Sequence, residues 1–118
     1  MKSKSHLVFL AVASSLFLAL AIGSRIAAAS SCGLVSDSDE RHMCYALQDG
    51  STGQCGLIRD SDRRHFCYAK ADKSTGQCGL IRDSDLRHYC YALVDKSSGQ
   101  CGLIGRSDLR SRCYTEVR

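Results

Sequence analysis

From Cys32 onward the chain repeats itself every 23 residues, and this periodicity restricts the possible fold more than any other feature. Cys55 to Gln77 and Cys78 to Gln100 agree at 18 of 23 positions, while residues 32–54 and 101–118 follow the same pattern more loosely. A unit this short cannot bury an apolar face by itself, so successive units must stack and share a continuous core. The expected architecture is an all-α tandem array of four short helical hairpins, with boundaries at 32–54, 55–77, 78–100 and 101–118, inside a repeat domain covering 30–118.

The residues ahead of the array are of another kind. Lys2 and Lys4 precede an apolar run from Leu7 to Ile22, and the small residues Ala27, Ala28 and Ala29 follow. That order is the layout of a secretory signal, with cleavage expected before Ser30, so residues 1–29 are read as a signal peptide. The run is shorter than the ~20 apolar residues that span a bilayer, so no membrane span is expected after cleavage. The whole chain carries a formal charge of +4, but Lys2, Lys4 and Arg25 leave with the leader. What remains is nearly neutral, and each basic residue has acidic neighbours, which argues against a nucleic-acid partner.

The roughly 89 residues after the leader hold a thin core and are marginal on burial alone. They contain no Trp, no Pro and one Phe, Phe66. All eight cysteines, Cys32, Cys44, Cys55, Cys67, Cys78, Cys90, Cys101 and Cys113, lie there. An exported chain of this kind is expected to be stapled by disulfides. Bonding within each unit joins 32 to 44, 55 to 67, 78 to 90 and 101 to 113 and uses every Cys, whereas the shifted register strands Cys32 and Cys113. A closed loop near this length contributes about 3 kcal/mol in the chain-entropy description, so four would contribute on the order of 10 kcal/mol before strain.

Each unit reads as two helices. Ser51 with Gln54, Ser74 with Gln77 and Ser97 with Gln100 have the spacing of a reciprocal cap, Ser three residues before Gln, ahead of a first helix through Gln-Cys-Gly-Leu-Ile. The second helix begins at Asp83-Ser84-Asp85 and its equivalents, where the side-chain oxygens suit free amides and the helix dipole. Leu86, Tyr89, Cys90 and Leu93 then form an apolar stripe, which ends near Lys96. In the outer units Glu40 replaces Leu86 and Arg112 replaces Tyr89, as expected where end faces meet water. Arg106 replaces the capping Asp83 in the last unit, leaving Ser107 to cap. Arg63 and Lys70 fall on the same stripe, where only their long stems suit apolar surface.

Several motifs have both a functional and a structural reading. His42, His65 and His88 each stand two residues before a Cys, which puts His and Cys on different sides of a helix and excludes a shared metal within one unit. A ladder of His across units would bind metal or sense pH. The plainer reading pairs each His with the Asp three residues earlier. The Asp-Ser-Asp triplets lack the Gly and the closing acidic residue of a calcium loop, so no metal or cofactor is expected. Ser-Asp-x-Arg and the Tyr after the second Cys (Tyr45, Tyr68, Tyr91, Tyr114) recur in every unit. Structurally, Arg87 would pair with Asp83 and the Tyr would cover the seam between units. Functionally, Tyr68, Tyr91, Arg64 and Arg87 would form a binding stripe of residue types common in interface hot spots.

The spacing Cys-x-x-Ile-x-Asp-x-Asp-x-Arg-x-x-Cys, as in Cys78 to Cys90, resembles short Cys-rich repeats of small exported bacterial proteins of unassigned function. The resemblance covers all four units, with a departure at Gly105-Arg106, and implies export but no activity. No catalytic set is visible: there is no His beside a paired nucleophile, no phosphate loop and no zinc quartet, so an enzyme is not expected. The expected function is a secreted or periplasmic interaction protein that binds a protein or cell surface through its repeated face. A membrane-active or antimicrobial peptide is the alternative, and the near-neutral charge counts against it.

Overall fold

A computed structural model describes residues 31–118. The expected signal peptide lies outside the described residues. The chain divides between Leu34 and Val35 into two compact units. Of the first, only a 3-10 turn at Ser31–Leu34 is described.

The second, Val35–Arg118, carries the array. Its α-helices are α1 (Ser38–Asp49), α2 (Ser61–Asp72), α3 (Ser84–Asp95) and α4 (Ser107–Glu116). Between them lie 3-10 helices at Thr52–Leu57, Thr75–Leu80 and Ser98–Leu103. No strand occurs among the described residues, and each α-helix packs on the next. The first segment of each hairpin is therefore a 3-10 helix rather than a turn of α-helix. Six residues with an internal Gly are too few to nucleate an α-helix, and the disulfide to the following α-helix anchors the tighter form.

Cys55–Cys67, Cys78–Cys90 and Cys101–Cys113 are bonded with Cα atoms 5.5–5.6 Å apart. Cys32 and Cys44 are disulfide-bonded as well. The expected pairing within units is thus observed in the second, third and fourth units. With no cysteine left free, the chain is suited to an oxidising compartment.

The caps of the α-helices follow the sequence reading. The carboxylates of Asp37, Asp60 and Asp83 accept the backbone N–H of Glu40, Arg63 and Leu86 at 2.7–2.8 Å. Arg106 makes no such bond. Ser107 does not take over, because it is the first helical residue. Arg106 instead reaches back to Asp83 and Asp85 of the preceding unit, at 3.3 Å each. The reciprocal Ser-Gln caps do not form. Ser51 accepts weakly from Gly53 at 3.4 Å, Ser74 and Ser97 make no cap bond, and each Gln is engaged elsewhere.

Helices α1 to α3 end on left-handed residues, Gly50 (φ 63°), Lys73 (φ 53°) and Lys96 (φ 52°). That conformation costs a non-glycine residue about 1 kcal/mol. The amides of Gly50 and Ser51 both close on the carbonyl of Ala46, and the pattern recurs at Ala69 and Ala92.

The seams between units are built from small residues and one isoleucine. Ala46 packs with Cys55 and Ile58 of the next unit, all at most 1% exposed. Ala69 and Ala92 belong to the same core as Ile81 and Ile104, again at most 1% exposed. Each buried Ile contributes about 1.5–3 kcal/mol. Thr115 takes the Ala position in the last unit, where it is exposed and its hydroxyl donates to the Ser111 carbonyl.

Polar side chains tie each seam. Asp39 accepts the backbone N–H of Arg59 and Asp60, Asp62 that of Arg82 and Asp83, and Asp85 that of Gly105 and Arg106, all within 3.1 Å. These bonds hold all three carboxyls below the ordinary aspartate range. Nδ1 of His42, His65 and His88 lies 2.8 Å from Oε1 of Gln54, Gln77 and Gln100, each in the 3-10 helix that follows. An amide oxygen only accepts, so Nδ1 carries the proton. The expected His–Asp pairing within a helix does not form: each Asp bonds across the seam, and each His meets the Gln at the end of its own unit. Ser111 stands in the His position of the last unit.

Candidate functional site

The four α-helices together line a groove of about 680 Å³, and the positions that line it recur at the repeat period. One row is Glu40, Arg63, Leu86 and Leu109. A second, three residues on, is Met43, Phe66, Tyr89 and Arg112. A third holds Leu47, Lys70 and Glu116. On a helix, positions i, i+3 and i+7 share a face, so every α-helix turns the same strip inward. Leu86 and Tyr89 of the apolar stripe thus line the groove, while Cys90 and Leu93 do not, and packing between units is shared by the Phe66–Tyr89 contact with Ala46, Cys55, Ile58 and their equivalents.

This placement corrects the reading of four residues. Glu40 and Arg112 do not mark end faces of the array; both line the groove. Arg63 and Lys70 line it too. Arg63 lies 3.5 Å from Asp37, and the Lys70 ammonium stands 5.8 Å from the centroid of Phe66.

The floor is aromatic. Phe66 and Tyr89 stack with centroids 5.6 Å apart and planes 4° from parallel, and both are buried. The Tyr89 hydroxyl donates to Glu116 at 2.6 Å, and the same carboxylate accepts from Arg112 at 2.8 Å. Burial and the bond to Glu116 push the Tyr89 phenol well above its ordinary value. Burial opposes ionisation of Glu116, but the bonds from Tyr89 and Arg112, with the charges of Arg112 and Lys70, outweigh it and hold the carboxyl low. The Arg112 guanidinium is stabilised as a cation chiefly by Glu116, with a smaller contribution from Glu40.

The residues that the sequence singled out for binding lie elsewhere. Arg64 and Arg87 donate to the carbonyls of Ile58 and Ile81 at 3.0 Å, and Arg41 and Arg110 do the same at Val35 and Ile104. The expected Arg87–Asp83 side-chain pair gives way to this backbone contact. Tyr68 and Tyr91 are half-buried with their hydroxyls over Gly56 and Gly79, where an added methyl would lie 3.3 and 3.2 Å from the oxygen. None of these four residues lines the groove.

A smaller hollow of about 230 Å³ is lined by Lys70, Lys73, Leu93, Val94 and Lys96, and Lys70 is common to both. Outside the groove, Leu57, Leu80 and Leu103 are 57–60% exposed, one per unit. Among the described residues no group of three His, Cys, Asp or Glu is arranged to hold a metal ion, and no helix is long and apolar enough to cross a membrane.

The sequence held an unread signal for the groove. The two inner units differ at five positions, and Arg63/Leu86, Phe66/Tyr89, Lys70/Leu93 and Ala71/Val94 are four of them. Three of these pairs contribute to the groove wall, and Leu93 and Val94 line the adjoining hollow. Comparison with protein-family models, with curated proteins and with solved structures finds no match to this chain.

Proposed function

We propose that the protein is a non-enzymatic interaction module that works outside the cytoplasm, secreted or periplasmic, and that its groove receives a protein partner. The observation that carries this reading is a division of labour among repeat positions. Cys, Asp, Arg and Tyr residues that recur in every unit hold the frame through disulfides, seam bonds and carbonyl contacts. Of the five positions that differ between the two inner units, four place a residue on the groove wall or in the adjoining hollow. Stacked repeats present extended inner faces of this type for binding, with a constant frame and a changeable lining. The leader-like first residues, the disulfides and the resemblance to exported bacterial Cys-rich repeats support the compartment.

Site-specific photo-crosslinking tests the reading. A photoreactive residue at Leu86 or Leu109, on the groove wall, should trap a partner in the exported fraction, and one at Leu80, outside it, should not. Adducts at Leu80 alone would move the binding face to the outside.

A second reading, membrane activity, draws on the exposed Leu57, Leu80 and Leu103. It requires leakage from anionic vesicles that is lost when these leucines become Ser.

A further inference from the structure

The groove adjoins a basic rim, and the two features together specify a chemistry. Lys70, Lys73 and Lys96 surround a hollow floored by Leu93 and Val94, and Lys70 also forms part of the groove wall beside Phe66. None of the three lysines takes part in an ion pair among the described residues. Of the two carboxylates that line the groove, Glu116 is engaged by Tyr89 and Arg112, and with Glu40 it is outnumbered by Arg63, Lys70, Arg112, Lys73 and Lys96 along groove and hollow. The mouth shared by groove and hollow is thus cationic, and its floor is apolar.

The backbone at two of these lysines adds an independent observation. Lys73 and Lys96 occupy left-handed positions where the first unit has Gly50. A glycine is the residue that this conformation favours, and a lysine there is strained. Attraction of the ammonium to the helix C-terminus offsets part of that strain, but the first helix closes on an uncharged glycine. The lysines therefore stand at the rim against a local conformational preference.

Resting on the reading of the groove as a protein-binding face, we propose that it takes an acidic polypeptide segment with an apolar or aromatic anchor. The anchor would seat against the Phe66–Tyr89 floor, and carboxylates beside it would meet Lys70, Lys73 and Lys96. Charge complementarity selects the class. Three cations drawn from the ends of two helices match several carboxylates along a chain better than the single charge of a fatty acid. The apolar floor has no counterpart in a purely anionic polymer.

The test is fluorescence anisotropy on the oxidised protein with four labelled probes. These are a 12-residue peptide alternating Glu with Leu and Phe, the same peptide with Lys for Glu, a 12-residue oligoglutamate, and vesicles containing phosphatidylglycerol. The acidic apolar peptide should bind, and should weaken at least tenfold between 50 and 500 mM salt. The basic peptide and oligoglutamate should bind at least tenfold more weakly. The triple variant Lys70→Gln, Lys73→Asn, Lys96→Asn should lose at least tenfold in affinity. Asn tolerates the left-handed conformation, so this variant should keep its helical circular dichroism. Equal binding by the triple variant, equal binding of the basic peptide, binding to vesicles alone, or binding to no probe would each overturn the proposal. Leu86→Asp separates the two levels. Binding lost in Leu86→Asp but kept in the lysine variant leaves the groove reading standing and removes the acidic partner; binding unchanged in both removes the groove reading as well.

Discussion

The hydroxyl of Tyr89 donates to the Glu116 carboxylate across 2.6 Å, joining the third unit to the last at the floor of the groove. The two residues lie 27 positions apart in sequence. Tyr89 belongs to the stacked aromatic pair and Glu116 to the bond with Arg112, so this contact couples the apolar floor to the charged wall. Tyr89→Phe removes the donor and leaves Glu116 still paired with Arg112. The expected loss is about 1 kcal/mol, at the ordinary value of one hydrogen bond. Chemical denaturation measures it, and Glu116→Gln should produce a similar loss that does not add to the first.

The seam aspartates make stability depend on pH. Asp39, Asp62 and Asp85 titrate below the usual aspartate range because backbone amides of the next unit bond their ionised forms. Between the lowered folded value and the ordinary unfolded value the unfolded chain binds more protons, so stability rises with pH through that window. The contribution is complete above the unfolded value, near pH 4, and is lost as pH falls through the folded one. Denaturant midpoints should drop between about pH 5 and pH 2 in the parent protein. Asp62→Asn should flatten that drop and lower the neutral-pH midpoint.

Lys73→Gly and Lys96→Gly should each stabilise the protein by about 0.5–1 kcal/mol, since glycine adopts the left-handed conformation without steric penalty. Lys73→Ala should not, because alanine keeps the penalty. A thermal melt of the three variants against the parent decides it. If the rim lysines serve a partner, the glycine variants gain stability while losing affinity for the acidic peptide.

Partial reduction should reveal how far the staples carry the fold. Each disulfide closes a loop between residues 12 apart, which contributes about 3 kcal/mol in the loop-entropy description. The paired substitution Cys78→Ala, Cys90→Ala should lower stability by about that amount or more and loosen the seams on both sides of the third unit. Full reduction should remove most of the helical circular dichroism near 37 °C, because the remaining core is small.

What the sequence made legible was what local chemistry decides. Asp83 is recognisable as a cap because its carboxylate reaches an amide only three residues on. The end of α3 near Lys96 is recognisable because Ser97 and Gly99 break a helix. The staples follow from eight cysteines at regular spacing in a chain with a small core.

The same local reasoning misassigned Gln54. A Ser-Gln cap is a contact within one turn, but its oxygen is taken by His42, 12 residues earlier, once the 3-10 helix folds back on α1. It also misassigned Arg87, whose guanidinium passes over Asp83 to the carbonyl of Ile81. Glu40 and Arg112 read as end caps, and Arg63 and Lys70 as long stems over apolar surface. That view did not foresee that part of the stripe stays open as a groove.

The repeat period and the helical class were thus determined by the sequence alone, since each rests on residue spacings along the chain, whereas the disulfide register, for which the spacing favoured pairing within units, was decided by the fold. Which side of the helices packs and which stays open was decided only by the tertiary structure. The alanines at Ala46, Ala69 and Ala92 let the next unit's Cys and Ile approach closely on one side. The bulkier Met43, Phe66 and Tyr89 then fall on the inner face of the array. Helical periodicity identifies an apolar side but not its occupant; the angle between successive units sets that, and it depends on contacts 12 to 27 residues apart.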